Sequence, residues 1–332
     1  MSEPPKKEQI TLIPSSMPPE PERIHFIADR GDGRLRLDQS ILRHLRDVTP
    51  RSRNRIQHWI DEGRVTVDGV AARRSSARLR ENAVVEVTLP SDIRRRQPPM
   101  PESRELSIIY EDDALLVVNK PAGLVVHPSY KQAAGTLLNA ILAHRPHRTI
   151  EPGIVTRLDK QTSGIVLIAV APDVHRLVQR DAEAGLVTKE YLALVLGSPS
   201  PRRGTIDQAL GRDPTDRRRV VAADEGTGAT TRYEVVATDA TRSLVRCELV
   251  TGRTHQIRLH LASRGWPIVG DAVYGTRDPA LGERQALHAW RVRLPHPVTR
   301  QPLTLVAPPP ADIVDAASDL FAIAGSQDPA YI

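Results

Sequence analysis

Apolar residues recur along this chain with two periods, and the period changes from one region to the next. Between residues 36 and 63 they follow a helical spacing, which predicts two short helices. Gly63 is placed to end the second helix, because glycine is common just after a last helical turn. Asp68-Gly69 then predicts a hairpin turn and 84–89 a further strand, so a small α/β unit is expected here.

From residue 104 onward, strand-like apolar runs outnumber helical ones. We predict strands at 106–110, 115–118, 191–196, 233–237 and 244–250, and helices at 136–145 and 173–184. Strands clustered in this way, with helices at the margins, predict an α+β fold built on a mixed, largely antiparallel sheet with flanking helices.

Proline-rich stretches separate these regions. Residues 1–22 contain six prolines and little apolar periodicity, which is typical of disorder. A basic, proline-rich stretch between the two folded regions indicates a linker. The predicted organisation is a disordered tail, a small domain, a linker, a large domain and a C-terminal tail, at 1–22, 23–90, 91–103, 104–310 and 311–332.

Composition excludes several classes of protein. Cys247 is the only cysteine, which excludes a disulfide framework and a cysteine-based zinc finger. The chain has no apolar run near the ~20 residues that cross a bilayer. The N-terminus also lacks a signal-peptide pattern, so we expect a cytoplasmic protein.

Positive charge is concentrated in one region. Residues 36–96 contain fourteen arginines and eight acidic residues, and this excess equals the formal net charge of +6 for the whole chain. Such a patch is expected of a phosphate-binding surface, although a solvated face gives the same pattern.

The octapeptide at 157–164 is the most informative stretch of the chain. It places Asp159 between Arg157 and Lys160, directly before the apolar run at 165–170. Nearby positive charges favour an ionised carboxylate, as a nucleophile requires. A surface aspartate paired with a basic neighbour has the same spacing, so spacing alone leaves both interpretations open.

This octapeptide resembles the signature of the RluA family of RNA pseudouridine synthases, His-Arg-Leu-Asp-x-x-Thr-Ser-Gly, except that Thr156 stands in place of the histidine. Other blocks resemble the family in the same order, and together they cover roughly 104–310. These blocks lie at 118–128, 135–139, 189–191, 251–258, 267–271 and 287–289.

The resemblance implies an isomerase that breaks the glycosidic bond of a uridine in RNA, rotates the base and rejoins it through carbon 5. It implies Asp159 as the catalytic carboxylate, while attack on the sugar and attack on the base both stay open. Arg258 is implied as its cationic partner, with Arg253 as second choice. Tyr191 is implied to stack on the flipped uracil and to accept a proton.

The substrate has to flip its base out of folded RNA, and Arg157, His127 and Arg253 are the expected substrate-binding residues. The polar segment 198–232, which carries Arg217-Arg218-Arg219, is expected to form a hairpin or loop over the RNA channel.

The helix that carries Arg258 is expected to follow a tight turn at Gly252, with Thr254 as its cap.

The small domain resembles the alpha-L RNA-binding domain first known from a small-subunit ribosomal protein. The resemblance rests on Arg36-Leu37-Asp38, Ser52-Arg53, Ile60, Gly63 and 65–69. In the RluA family such a domain is commonly fused ahead of the synthase. We expect phosphate contacts, which position a protein without reading sequence, from Arg43, Arg53, Arg55 and Arg73.

No cofactor or metal is predicted, since His255 and His260 lack the spacing of a zinc pair and no phosphate-loop or dinucleotide motif occurs. The tandem arrangement implies large-subunit ribosomal RNA as the partner, with transfer RNA as the second candidate, and nothing demands more than a monomer. Two other classes stay open. One is a non-catalytic ribosome-assembly factor that binds RNA and retains the fold, and the other is a metal-dependent RNA hydrolase.

Overall fold

The computed structural model describes residues 23–45, 53–90, 99–128, 132–145, 152–216, 219–328 and 331. The chain divides into two compact units, an N-terminal unit Met1–Pro98 and a C-terminal unit Pro99–Ile332. The predicted tail at 1–22 and residues 91–98 of the predicted linker lie outside the described residues.

The N-terminal unit packs two helices on a small antiparallel sheet. Its elements are β1 (Arg23–Ile27), α1 (Leu37–His44), α2 (Arg53–Asp61), β2 (Val65–Val67), β3 (Val70–Ala71) and β4 (Val84–Thr88). The sheet order is β1-β4-β2-β3. Leu37, Ile41 and Trp59 project from the two helices into one buried core with Val85 and Val87 of the sheet. The two helices predicted from the apolar spacing are therefore confirmed.

The predicted hairpin turn is also confirmed. Asp68 and Gly69 both have positive φ, 50° and 78°, and they join β2 to β3. Gly63 has φ 73° just after α2 ends. Both turns need the left-handed region that glycine adopts at little cost and aspartate tolerates.

The C-terminal unit is built on a ten-stranded sheet. Its elements are β5 (Ile108–Glu111), β6 (Leu115–Lys120), α3 (Leu137–His144), β7 (Gly153–Ile154), β8 (Ser163–Ala169), α4 (Pro172–Glu183), β9 (Thr188–Leu196), β10 (Arg203–Asp207), β11 (Leu210–Arg212), β12 (Val220–Ala222), β13 (Thr230–Thr238), β14 (Arg242–Leu249), α5 (Gln256–Ser263), β15 (Leu287–Pro295), β16 (Pro302–Val306), α6 (Ala311–Asp315) and α7 (Ser318–Gln327).

The strands of the large sheet lie in the order β10-β13-β14-β9-β15-β8-β6-β5, with β16 on β15 and β7 on β8. The strands pair antiparallel except that β8 and β15 run parallel. The α+β class on a mixed, largely antiparallel sheet is therefore confirmed.

Strand β8 is buried along its whole length because helices cover both faces of the sheet there. Ile165 and Leu167 lie in one core cluster with Val178 of α4. Val166 and Ile168 lie in another with α3. This double burial explains the unbroken apolar run that follows Asp159.

The predicted N-cap of α5 is wrong. Thr254 does not cap α5, whose N-cap is His255 with φ 55° and whose first residue is Gln256. The Gln256 side chain folds back instead, and its Oε1 accepts hydrogen bonds from the Arg253 backbone N–H (3.0 Å) and the Thr251 hydroxyl (2.8 Å). In the turn before α5 the positive φ therefore belongs to His255, and Gly252 does not carry it.

Within the predicted tail at 311–332, the described residues form α6 and α7. Their apolar residues at helical spacing, Ile313, Leu320 and Phe321, are buried in the core cluster that contains Leu194 of β9. This spacing is itself a helix signal, and it marks the predicted tail as part of the folded unit.

The predicted hairpin within 198–232 is present as β11 and β12, while β10 lies at the edge of the large sheet. Arg217 and Arg218 of this segment lie outside the described residues, and Arg219 is exposed. In the part of the chain that the structure describes, no helix has the length and apolar character to cross a membrane.

Candidate active site

Asp159 lies in the loop between β7 and β8. The Thr162 backbone N–H donates to the Asp159 carbonyl at 3.1 Å, which closes a turn before β8 begins. The carboxylate is partly exposed, and its contacts end on Oδ2: Arg258 Nη1 lies 3.2 Å from it and His255 Nε2 3.8 Å. In the described chain no hydrogen bond ends on Oδ1, so this oxygen is available to a substrate.

Arg258 lies on α5, is buried, and joins two carboxylates. Its Nε and Nη2 each donate to Asp271 at 2.7 Å, while Nη1 donates to Asp159. Burial acts against the charge, but the hydrogen bonds and charge of Asp271, together with Asp159, raise the pKa of Arg258. The guanidinium is therefore a fixed positive charge that sets the position of Oδ2.

Asp271 binds the two nitrogens of Arg258 that do not face Asp159. It is fully buried, and its Oδ1 accepts hydrogen bonds from the backbone N–H groups of Val273 (2.9 Å) and Tyr274 (3.1 Å). Burial would raise its pKa, yet Arg258 and these two bonds lower it. Asp271 belongs to the RluA-like block at 267–271, but no role was predicted for it, because its pairing with Arg258 exists only in the folded chain.

Tyr191 lies on β9 beside the Asp159 loop. The sheet register sets Tyr191 opposite Ala289 of β15, and Ala289 in turn opposite Gly164 of β8. A Cβ on Gly164 would stand 2.2 Å from the Ala289 carbonyl oxygen, so only glycine allows this close approach. Burial, with the charge of Asp159, raises the pKa of Tyr191, and its hydroxyl stays protonated at neutral pH.

Lys120 supports the Asp159 loop from the end of β6. The side chain is fully buried, and its Nζ donates to the carbonyls of Pro121 (2.8 Å), Leu124 (2.9 Å) and Lys160 (3.1 Å). These bonds join the loop after β6 to the residue that follows Asp159. Burial, and then the charge of Arg284, lower the pKa of Lys120 to about 7. Sequence reasoning missed this residue because a lysine is expected at the surface.

Thr156, which replaces the histidine of the RluA-like signature, has a structural contact. Its hydroxyl accepts a hydrogen bond from the Leu167 backbone N–H at 2.9 Å. The side chain therefore joins the segment between β7 and Asp159 to β8.

The three predicted substrate-binding residues are exposed: Arg157, His127 and Arg253. Arg157 makes no side-chain hydrogen bond or ion pair within the described residues, so its charge is available to a ligand. Arg253 Nε donates to the Gly228 carbonyl at 3.3 Å. Within the same residues, no hydrogen bond or ion pair joins Arg253 to Asp159, so Arg258 rather than Arg253 is the cationic partner.

His255 and Tyr274 were not predicted as site residues. Nδ1 of His255 lies 3.0 Å from the Tyr274 hydroxyl, and the Arg258 guanidinium stands 5.2 Å from the centre of the Tyr274 ring. Burial lowers the pKa of His255, so the imidazole is neutral at neutral pH.

The four arginines predicted to bind phosphate in the N-terminal unit divide into two pairs. Arg43 makes a bidentate contact with Asp29 (2.8 Å for both bonds) and reaches Asp32 at 3.2 Å. Arg53 lies 3.4 Å from Asp38. The first pair therefore has acidic partners inside the unit.

The other pair is Arg55 and Arg73. Neither makes a side-chain hydrogen bond or ion pair within the described ranges. Arg55 is half-buried and Arg73 is exposed.

One cluster in the described chain brings together three groups able to bind a metal ion: Asp29, Asp32 and His44. Arg43 already occupies this cluster through Asp29, and His44 Nε2 lies 2.8 Å from Asp32 Oδ2. The protein's own basic side chains therefore fill the positions around these carboxylates.

Comparison with known proteins identifies the family. The family described as RNA pseudouridylate synthase matches residues 114–263, which include Asp159, Tyr191 and Arg258. A ribosomal large subunit pseudouridine synthase D of Nitrosomonas europaea is 39% identical over 289 residues, covering 84% of this chain and 82% of that protein. A protein of the same name from Neisseria meningitidis is 38% identical over 304 residues, covering 87% and 80%.

A solved structure agrees with these matches. The human RNA pseudouridylate synthase domain containing 4 is 27% identical, with a TM-score of 0.52, and the match covers 64% of this chain and 92% of that chain. Sequence and fold thus lead to the same assignment: the chain belongs to the RNA pseudouridylate synthase family and is an RNA pseudouridine synthase, an isomerase.

Proposed function

We propose that this enzyme converts uridine to pseudouridine in large-subunit ribosomal RNA. The names of its relatives from Nitrosomonas europaea and Neisseria meningitidis, both synthases of the ribosomal large subunit, support this substrate. Transfer RNA is the second candidate. The cytoplasm as location and a monomeric state stay predictions from the sequence.

The observation that carries the site assignment is the pair of ion pairs Asp271–Arg258–Asp159, in which Asp271 and Arg258 are buried and Asp159 is partly exposed. Arg258 is fixed by a bidentate bond to a fully buried carboxylate and uses its remaining nitrogen to hold Oδ2 of Asp159. Oδ1 is then free to attack the substrate or to stabilise positive charge on the sugar.

Tyr191 is proposed to stack on the extruded uracil. A protonated hydroxyl on a buried ring beside Asp159 presents an aromatic face together with a polar group. Arg157, exposed and next but one to Asp159, is proposed to occupy the space that the flipped nucleotide leaves or to bind its phosphate, with His127 and Arg253 at the opening.

The N-terminal unit is proposed to be an alpha-L-like RNA-binding domain. Two helices on a small sheet, with arginines on their surface, suit contacts to the RNA backbone that position the substrate without reading its sequence.

The test is tritium release from RNA labelled at carbon 5 of uridine, because rebonding at that carbon displaces its hydrogen. In vitro transcripts of large-subunit ribosomal RNA and of transfer RNA are compared with the wild type and with Asp159→Asn. Release from ribosomal RNA by the wild type alone is the expected result. Release only from transfer RNA would overturn the substrate, and equal release by both proteins would overturn the role of Asp159.

A further inference from the structure

The Tyr274 hydroxyl joins the β11–β12 hairpin to the active site. It accepts a hydrogen bond from the Val220 backbone N–H (2.9 Å), faces the Val220 carbonyl (3.1 Å) and lies 3.0 Å from His255 Nδ1. The same ring lies under the guanidinium of Arg258. One side chain therefore contacts the hairpin, the N-cap of α5 and the arginine that holds Asp159.

This hydroxyl has two alternatives as a donor. It has one proton, which it donates either to the Val220 carbonyl or to His255 Nδ1. If the proton goes to Val220, Nδ1 of the neutral imidazole must be the donor, and the lone pair of Nε2 then faces the carboxylate of Asp159. If it goes to Nδ1, the hydrogen lies on Nε2 and points to Asp159 Oδ2.

The second arrangement is favourable, because a donor facing a carboxylate attracts it and a lone pair repels it. The Nε2–Oδ2 distance of 3.8 Å is longer than a hydrogen bond. Contacts of this kind are often long in a free enzyme and shorten when the substrate binds.

The backbone supports a dedicated position for this imidazole. His255 has φ 55°, in the left-handed region that a non-glycine residue enters only at an energetic cost. That conformation places the ring between Tyr274 and Asp159, at the end of the helix that presents Arg258.

We propose that Tyr274 is a positioning residue, whose hydroxyl sets the tautomer of His255 so that Nε2–H and Arg258 together hold Oδ2 of Asp159. This inference rests on the proposed role of Asp159. The Val220 carbonyl of the hairpin competes for the same proton, so the orientation of Asp159 depends on whether the hairpin holds Val220 against Tyr274. The same hairpin carries the exposed Arg212 and Arg219.

The first test removes only the hydroxyl. Tyr274→Phe keeps the ring under Arg258 and is expected to lower kcat roughly five- to tenfold, on the scale of one neutral hydrogen bond, with KM within about twofold. Tyr110→Phe is the matched control: its hydroxyl bonds Asp112 at 2.7 Å, away from Asp159 and Arg258, and its removal leaves both constants unchanged. A raised KM with unchanged kcat would mean that the Tyr274 hydroxyl only anchors the hairpin, and would overturn the proposal.

The second test asks which of the two imidazole nitrogens of His255 supports activity. His255→Gln places an amide N–H near the Nε2 position, whereas His255→Asn places one near Nδ1. The glutamine variant is expected to keep at least about fivefold more kcat than the asparagine variant, on the scale of one hydrogen bond, and adding Tyr274→Phe to it should change kcat no further. Equal rates, or a faster asparagine variant, would refute the assignment.

These rates are measured by tritium release on whichever transcript the wild type uses, so a wrong choice between ribosomal and transfer RNA does not affect them. Asp159→Asn is measured alongside. Wild-type rates for Asp159→Asn would defeat the proposed catalytic role itself, while a failure confined to the Tyr274 and His255 variants defeats only this inference. Circular dichroism of every variant checks the fold, and the His255 pair carries the test if Tyr274→Phe unfolds.

Discussion

The two units use their arginines in opposite ways. In the C-terminal unit, Arg258 is buried between Asp159 and Asp271 and bonds both. In the N-terminal unit, Arg43 and Arg53 lie half-exposed against aspartates, while Arg55 and Arg73 have no acidic partner in the described residues. The difference separates two proposed tasks: a buried arginine fixes the geometry of another group, and an arginine without an acidic partner supplies charge to a ligand.

Buried and exposed ion pairs also differ in the free energy that is lost when they are broken. Removal of one partner from a buried, hydrogen-bonded ion pair costs about 3–5 kcal/mol, because the other charge stays desolvated. Removal of an exposed ion pair costs about 0–1 kcal/mol. Removal of Arg258 should therefore lower both activity and stability, and removal of Arg55 and Arg73 should lower mainly RNA binding.

The largest effect is expected from Asp159→Asn. We expect tritium release to fall by at least about a thousandfold, since the amide can neither attack nor stabilise a cation. The melting temperature should stay within a few degrees, because Arg258 keeps its bidentate bond to Asp271. A variant that retains a tenth of the wild-type rate would contradict a direct role for this carboxylate.

Arg258→Ala is expected to lower both stability and activity. It leaves Asp271 buried without its partner, so the free energy of unfolding should fall by about 3–5 kcal/mol in urea titrations. The matched variant is Arg258→Met with Asp271→Asn, whose amide oxygen still accepts from Val273 and Tyr274. The double variant should recover most of the stability and none of the activity; recovery of activity would show that Asp159 needs no cationic partner.

Tyr191→Phe tests which part of the tyrosine matters. The ring that is proposed to stack on uracil is kept and the hydroxyl is removed, so KM should stay constant, and kcat should fall by about a hundredfold or more if the hydroxyl takes part in proton transfer. Tyr191→Leu also removes the aromatic face and should raise KM as well, because stacking supplies about 1–3 kcal/mol of binding free energy. An unchanged kcat for Tyr191→Phe would limit the residue to stacking.

The smallest effects are expected in the N-terminal unit, and they compare unpaired with paired arginines. Arg55→Gln with Arg73→Gln should weaken RNA binding several-fold and reduce the slope of log K against log salt by about 1 for each phosphate that is no longer bound, without lowering the melting temperature. Arg43→Gln should instead lower the melting temperature and leave the salt slope unchanged, because it removes the partner of Asp29 and Asp32. Equal salt slopes for the two proteins would show that pairing within the unit does not decide which arginines meet RNA.

Sequence alone identified those candidate site residues that lie in contiguous motifs. Asp159, Tyr191 and Arg258 were all named as site residues, and the structure places Asp159 in contact with Arg258 although 99 positions separate them. Asp271, His255 and Tyr274 were missed as contributors because their roles depend on which residues meet across the fold, and the spacing of a motif does not record that. For the same reason, the run of arginines did not reveal that Arg43 is paired.

The fold was predictable where apolar periodicity was strong, as in α1 and α2, and the prediction failed where side chains replaced the usual cap. Gln256 bends back over the turn before α5, so Thr254 has nothing to cap. The parallel pairing of β8 with β15 was also hidden, since it depends on a glycine meeting a carbonyl more than a hundred residues away.

Lys120 has a consequence for how the kinetics of this enzyme are read. An ammonium group has three hydrogens and an amine has two, so the release of one proton leaves one of the three carbonyls around Lys120 without a donor. With a pKa of about 7, that release falls in the range where enzymes are usually assayed. A bend near neutrality in the pH–rate profile would then come from a group that never touches uridine, and a Lys120→Met variant, which cannot titrate, would lack it.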